Sequence, residues 1–554
     1  MAGTASTIEH AEVVVVGSGF GGSVTAARLA AGNLGVVVLE RGRHYPPGSF
    51  PRSPHGLANN VWDPGTQHLG LFDLWSFAGI DALVSSGVGG GSLIYANVLL
   101  RMEPTWFRTT FPDGTEQHWP VTRSDLDPFY DLAETMLGAQ LYPMDRPEYA
   151  EVPKVRAFHD AAKACGLTAQ PLKLAITFAN PGEPAGRNQA ITDGRNPSDT
   201  RRTCRMCGEC DIGCNDGAKN TLDHNYLADA VRDGAEIREL CEVIHLEATA
   251  QGRYVVTYLD RRAGPDRPPV HRSISAERLV LAAGTLGTTY LMLRNRAAFG
   301  HLSPALGTRF SGNGDLLGFL GRARTRQAGR WRPTNLDAAQ GPVITSAIRI
   351  PDRSEGGSGQ GFLIEDGGNP EFVNWAAGVL PLPAALRRVV RVAQRVMVAK
   401  LLGSSRSRYG GELAALVDRY ASSSMPLLGM GRDTPDGIMR LERDDLAIDW
   451  STKTSRPYFD DVEAVMRRLA RATGGKLRLN PLSMLHRVIT VHPLGGCPMG
   501  EHPADGVVDS FGRVFGHERF SIADGSMLPG PTGANPALTI AALAERAAAE
   551  VLSS

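Results

Sequence analysis

The chain has no long hydrophobic run. Nowhere in its 554 residues do about 18 apolar residues follow one another, so no membrane-spanning helix is expected. It has no net charge either: 58 Lys and Arg stand against 58 Asp and Glu, which argues against a general nucleic-acid binder. The opening Met-Ala-Gly-Thr-Ala-Ser lacks a cationic segment leading into an apolar one, and it lacks a twin arginine. No secretory signal is therefore expected, and the expected location is cytoplasmic. There is no internal repeat. Cysteine is scarce: of seven, four fall between Cys204 and Cys214. In a chain read as cytosolic, that is a site and not a disulfide framework. What remains is an ordinary soluble composition, 42% apolar and 21% charged, in a chain too long for one compact core. Two domains, or one with large insertions, are expected. Glycine is plentiful, 63 residues, and clusters in runs.

The first run organises the rest. Val13 to Val16 read as a buried parallel strand, covered on both faces. Gly17, Gly19 and Gly22 follow with the spacing G-x-G-x-x-G. The first glycine allows a tight turn, the second lets backbone approach a pyrophosphate, and the third lets the next helix pack on the strand. Ser23 to Ala31 continues as that helix, whose N-terminal amides suit phosphate. Gly35 to Glu40 is the next strand, and Glu40 closes it where a ribose hydroxyl acceptor belongs. The segment points to a dinucleotide and leaves FAD and NAD both open.

A second run, Ser85-Ser-Gly-Val-Gly-Gly-Gly-Ser92, is backbone almost free of side chains, suited to close approach of a flat ligand. Helices are expected over Ser124–Leu137, Lys154–Cys165, Asn225–Ala235 and Ala537–Val551. Strands are expected over Ile237–Leu246, Tyr254–Leu259 and Ser273–Leu281, the last running into Ala282-Ala-Gly-Thr285. Gly312-Asn-Gly-Asp315 is a turn by composition. Residues 340–365 alternate like strands and end at Phe362-Leu-Ile-Glu365. Ala384–Leu402 carries Arg387, Arg388, Arg391, Arg395 and Lys400 without an acid, opposite an apolar face. It reads as a peripheral membrane contact or as the cationic, solvated face of a packed helix. The last seventy or so residues hold His492-Pro-Leu-Gly-Gly-Cys497, Asp524-Gly-Ser526 and Asn535-Pro536, the last just ahead of a helix.

Taken together, Gly17–Gly22 with Glu40, Gly87–Leu93, His492–Gly496, Asp524–Ser526 and Asn535-Pro536 make the chain resemble the glucose–methanol–choline (GMC) flavin oxidoreductases. It is most similar to their bacterial cholesterol oxidase branch, and the likeness covers nearly the whole chain. The resemblance implies FAD as cofactor and an α/β fold. A Rossmann-like FAD-binding domain would be assembled from residues 8–45, 222–310 and 488–554. An α+β substrate-binding domain, a sheet flanked by helices, would be built from 46–221 and 311–487. It implies that Gly17, Gly19 and Gly22 meet the pyrophosphate and Glu40 the adenosine ribose. Residues 87–92 (Gly87, Gly89, Gly90, Gly91 and Ser92) would lie against the flavin, with Asp524, Asn535 and Pro536 near its ribityl and isoalloxazine parts. Phe20, Gly21, Arg41, Ala283, Gly284 and Gly525 join the cofactor-binding set. His492 and Asn535 match the family's catalytic pair. Glu365 is similar in context to the acid that cholesterol oxidases use to shift a double bond.

The expected chemistry is oxidation of an alcohol, sterol-like or otherwise bulky and apolar, to a ketone, with hydride passing to the flavin. His492 would take the hydroxyl proton or hold a hydroxyl or water that does, and Asn535 would orient the oxygen. Glu365 would isomerise a β,γ-unsaturated ketone, or is a Glu beside a glycine-rich turn. Cys204, Cys207, Cys210 and Cys214 have the C-x2-C-x2-C-x3-C spacing of bacterial ferredoxins, with Asn215 where that run has Pro. An iron–sulfur cluster is the preferred reading, against a structural zinc site or disulfides and free thiols. With a cluster the enzyme is a dehydrogenase serving an external electron acceptor, and without one O2 is the acceptor. The alternatives are a dehydrogenase of another alcohol or sugar, and a flavoprotein that binds a lipid or partner without turnover.

Overall fold

A computed structural model of the protein describes residues 8–553 apart from 112, 192–200, 322, 328, 335, 370–423 and 480–486. The basic segment 384–402 lies outside the described residues.

Strand β1 (Glu9–Val16) ends in four buried valines. Fully burying such side chains stabilises by about 1.5–3 kcal/mol each. Its neighbours β2 (Val36–Leu39) and β3 (Val270–Leu281) both run parallel to it. Helix α1 (Phe20–Ala31) joins β1 to β2. The sheet runs Glu236–Arg238, β2, β1, β3, Tyr254–Asp260, Cys241–Ala248. β3 changes partner along its length: residues 270–276 pair antiparallel with Tyr254–Asp260, and Leu279–Leu281 pair parallel with β4 (Phe520–Ile522). The C-terminal ends of β1, β3 and β4 are thereby brought side by side, the edge where an α/β sheet receives a ligand. Helix α2 (Gly284–Arg294) leaves β3, and α3 (Ala537–Ser553) packs on α1.

The single strand expected over 237–246 is two strands. Leu240 turns left-handed (φ 55°) and donates its N–H to Gly42. That redirects the chain from a parallel strand beside β2 into the antiparallel strand Cys241–Ala248. The helix Arg123–Met136 is closed at its start by a capping box between Thr122 and Asp125. It buries Leu126, Tyr130 and Ala133 in the core of the first sheet, with Tyr130 hydrogen-bonded to Thr539 of α3 at 2.9 Å. It thus sides with the first sheet, although its sequence lies in the 46–221 stretch.

A second sheet is antiparallel throughout, in the order Ala169–Pro171, Ser346–Ile350, Phe362–Asp366, Ser424–Gly431, Leu316–Gly321, Lys476–Leu479. Helix Arg456–Ala472 buries Val462, Met466 and Leu469 in its core, together with Phe158 and Ala162 of the helix Pro153–Ala164. The molecule is a mixed α/β fold, a Rossmann-like sheet beside a second sheet flanked by helices.

Candidate active site

At the end of β1 the backbone is too crowded for side chains. Gly17 is left-handed (φ 95°), and a Cβ there would stand 2.4 Å from the Ala282 carbonyl oxygen. A Cβ on Gly22 would stand 2.1 Å from the carbonyl of Gly17. At Gly19 the opposite holds: a Cβ would meet nothing within 4 Å. The middle glycine faces open space, and so do Gly91 and Gly284. The two glycine runs touch, since a Cβ on Gly90 would lie 2.6 Å from the Cα of Gly19. Ser18 joins them: its Oγ accepts the N–H of Gly89 at 3.1 Å and donates to Glu40 at 2.7 Å. An open, glycine-walled cradle at the carboxyl edge of the sheet fits a dinucleotide.

Glu40 is buried at the rim of that cradle. One carboxylate oxygen takes the N–H and Oγ of Ser18, the other the N–H of Gly42 at 2.8 Å. Burial raises its pKa against those hydrogen bonds. Oε1, with one partner, keeps acceptor capacity. Asp524 is engaged on both oxygens, by Gly284 N–H and Thr288 Oγ1 on one and by Ser526 N–H and Oγ on the other. Its carboxylate thus ties the start of α2 to the Gly525–Met527 turn. Ser92 plays a similar part, donating to Gly89 and accepting from Leu222 N–H. Arg41 pairs with Asp73 at 2.8 Å beneath the Trp62 ring, and Phe20 is buried edge-on to Tyr95. Gly21 packs on Ala523, and Ala283 immediately precedes α2.

The loop from His492 to Gly496 is laced between the two halves of the molecule. Leu494 exchanges both backbone hydrogen bonds with Ser311 at 3.0 Å, Gly495 donates to the Gly525 carbonyl at 3.0 Å, and Thr285 donates to Pro493. His492 Nδ1 lies 3.0 and 3.1 Å from the carboxylate oxygens of Asp315. Asp315 is buried and also accepts Thr490 Oγ1 and Val491 N–H. A carboxylate that takes the Nδ1 proton assigns the tautomer and leaves Nε2 as the basic nitrogen.

Asn535, just ahead of Pro536 and α3, points its Nδ2 at Glu365 Oε2, 3.5 Å away. Asn535 Oδ1 and Glu365 Oε1 are buried with no protein partner. Such orphaned polar atoms are expensive unless a ligand satisfies them. Glu365 is fully buried in the strand Phe362–Asp366, and burial pushes its pKa up to about 8, so the carboxyl is protonated at neutral pH. The same turn that holds His492 also holds the Asn535 loop: Asn313 Nδ2 donates to Ala534, and its Oδ1 accepts Gly533 N–H and Thr532 Oγ1. Asp433, hydrogen-bonded by Ser311 Oγ and pushed up to about 7 by burial, lies beneath.

Asn313, Asp315 and Asp433 escaped the sequence reading. Gly312-Asn-Gly-Asp315 carried only a turn signal, and nothing local marks a turn that clamps residues about 180 and 220 positions further on.

The four cysteines of 204–214 are unpaired and line a common cavity. Among the described residues, no three His, Cys, Asp or Glu side chains are arranged to hold a metal ion.

A glycine-walled cradle at the edge of a Rossmann-like sheet, tied through Thr285 and Gly525 to the loop that carries His492, is the geometry of a dinucleotide-binding protein. Two family profiles described as GMC oxidoreductase match this chain, the N-terminal one over residues 81–311 and the C-terminal one over residues 452–544. A cholesterol oxidase of Mycobacterium tuberculosis is 30% identical, the alignment covering 97% of this chain and 90% of that protein. The paromamine 6'-oxidase of Streptomyces fradiae is 24% identical over 98% and 91%. The crystal structure of pyridoxine 4-oxidase from Mesorbium loti superposes with a TM-score of 0.58 at 18% identity, covering 98% of this chain and 99% of that one, which shows the shared fold. The chain belongs to the GMC oxidoreductases, FAD-dependent enzymes that oxidise alcohols.

Proposed function

We propose that this enzyme oxidises a bulky, apolar, sterol-like secondary alcohol to a ketone. His492 Nε2 takes the hydroxyl proton, and Asn535 orients the oxygen. The contact of His492 Nδ1 with the buried Asp315 carboxylate, which would leave Nε2 as the proton acceptor, is the observation that carries the reading. Bound FAD supplies the hydride acceptor. Gly17–Gly22 and Gly87–Ser92 would hold it, with Glu40 at the ribose and the Ala283-Gly284 and Asp524-Gly525 turns and Pro536 along its length. We assign 8–45, 222–310 and 488–554 to the FAD-binding part, and 46–221 and 311–487 to the substrate part. The sterol-like class is supported by the cholesterol oxidase relative, and paromamine is the competing substrate to set beside it, after the relative named paromamine 6'-oxidase. In the His492→Ala and Asn535→Ala proteins, FAD stays bound while anaerobic single-turnover reduction of the flavin slows by about a hundredfold or more. Near-normal reduction in both would sink the assignment.

Glu365 in its ionised form would take a proton from the α carbon of a β,γ-unsaturated ketone product and return it to the γ carbon, a step supported by its burial in the site and its unpartnered oxygen. With its pKa pushed up to about 8, the ionised fraction and so the step grow as pH rises towards that value. A Glu365→Gln enzyme that still released conjugated ketone at the normal rate would remove that step.

A further inference from the structure

The chemistry above makes no use of a hairpin that leaves the second sheet. The strand Leu316–Gly321 starts at the Asp315 turn and is followed by Arg324–Gln327 and Arg330–Pro333, paired antiparallel. Among the described residues that pair forms a two-stranded sheet of its own. Its base is tied to the body of the protein by the Arg324 N–H, which donates to the Thr473 carbonyl at 2.9 Å. Arg324, Arg326, Arg330 and Arg332 are all exposed. Arg326 stands opposite Trp331 and Arg332 opposite Thr325. The alternation of a strand therefore puts Arg324 and Arg326 on one face and Arg330 and Arg332 on the other. Arg471 and Lys476, also exposed, stand on either side of Thr473 in the chain and carry the charge on to the base of the ribbon.

From Leu316 to Leu336 the sequence holds five arginines and no acid, in a chain whose net charge is zero. Among the described residues no ion pair engages the four exposed ones. Same-face neighbours two residues apart are about 7 Å from each other, within the screening distance of about 8 Å at physiological salt, so they repel. An anionic surface offsets that repulsion, and guanidinium groups suit phosphate. We propose that this ribbon docks the enzyme on the anionic headgroups of a lipid bilayer. The choice of a bilayer rests on the sterol-like alcohol proposed above, which dissolves in lipid and not in water. The zero net charge argues against nucleic acid. Each arginine near an anionic leaflet adds to the attraction. A six-residue strand, about 20 Å long, separates the ribbon from Asp315, so the ribbon lies outside the site that holds His492.

The flavin-loaded full chain is sedimented with sterol-free vesicles of phosphatidylcholine containing phosphatidylglycerol, and with vesicles of phosphatidylcholine alone. It is expected to bind the first and not the second, and to be released by raised salt. With Arg324→Ser, Arg326→Ser, Arg330→Ser and Arg332→Ser combined, binding weakens by about a hundredfold or more, while the same four positions changed to Lys keep it within about tenfold. Oxidation of a detergent-dispersed alcohol is unchanged in both proteins. Equal binding to the two kinds of vesicle overturns the proposal, and so does a serine protein that binds as tightly as the wild type. Tighter binding to duplex DNA or to inorganic polyphosphate than to the anionic vesicles assigns the ribbon to a soluble polyanion and also overturns it. Should the serine protein not fold, Arg326→Ser with Arg330→Ser, at the tip of the ribbon, takes its place: about a tenfold loss is expected, and no loss overturns the proposal. Vesicle binding by an enzyme whose flavin no sterol bleaches leaves the docking standing and removes the sterol reading. Sterol oxidation without vesicle binding does the reverse.

Discussion

At the scale of single residues, the site is a set of side chains held by other side chains. His492 is held at Nδ1 by Asp315, and Asp315 in turn is held by Thr490 and the Val491 amide. Replacing Asp315 by Asn keeps the shape and removes the charge that fixes the tautomer. Anaerobic flavin reduction in Asp315→Asn is expected to slow by about tenfold or more with FAD still bound. An unchanged rate would mean that the carboxylate does not position the histidine. Glu365 and Asp433 make a different prediction. Burial raises both, to about 8 and about 7, above the range of about 4 they have in an unfolded chain. Near neutrality the folded protein keeps protons that the unfolded chain has released. Their stabilising contribution is therefore complete below about pH 4 and is lost as pH rises through the folded values. Thermal midpoints of the wild type should fall between about pH 5 and about pH 9, and Glu365→Gln should flatten that fall. Parallel curves for the two proteins would show that Glu365 is not held neutral.

At the scale of elements, the β1–α1 turn separates two uses of glycine. Gly22 is small because Gly17 is in the way, and Gly19 is small because open space in front of it suits a ligand. Gly22→Ala pushes a methyl group into backbone and should destabilise the protein itself by about 1–3 kcal/mol. Gly19→Ala meets no protein atom, so the protein should melt within about 0.5 kcal/mol of the wild type while binding FAD more weakly. Denaturant melts and flavin content distinguish them, and the idea fails if the two substitutions behave alike. This turn was fully legible in the sequence because its spacing is local. The break at Leu240 was not, because its cause, the Gly42 carbonyl, lies about 200 residues earlier.

At the scale of the whole molecule, the chain's two ends are locked together. Glu545 of α3, almost fully buried, accepts two hydrogen bonds from Arg28 of α1 and a third from Tyr226. The pair holds the helix that opens the cradle against the helix that Asn535 and Pro536 lead into. Glu545→Ala strands a buried hydroxyl and a half-buried guanidinium, and should lower stability by about 2–3 kcal/mol. The test is a two-state unfolding measurement at fixed flavin content. A change below about 0.5 kcal/mol would show that the lock contributes nothing. No described helix is long and apolar enough to cross a membrane.

The sequence by itself determined the dinucleotide cradle, the family, and the identity of His492, Asn535 and Glu365 as candidates, because each sits in a short pattern whose chemistry is local. The tertiary structure alone decided what holds them. Asp315 on His492, Asn313 on the Asn535 loop and Asp433 on Ser311 are each separated by more than 100 residues from the group they hold, and proximity made by folding leaves no trace in spacing. The four cysteines lie between these cases: their spacing suggested a cluster, but among the described residues the fold arranges no three ligand side chains to hold a metal ion.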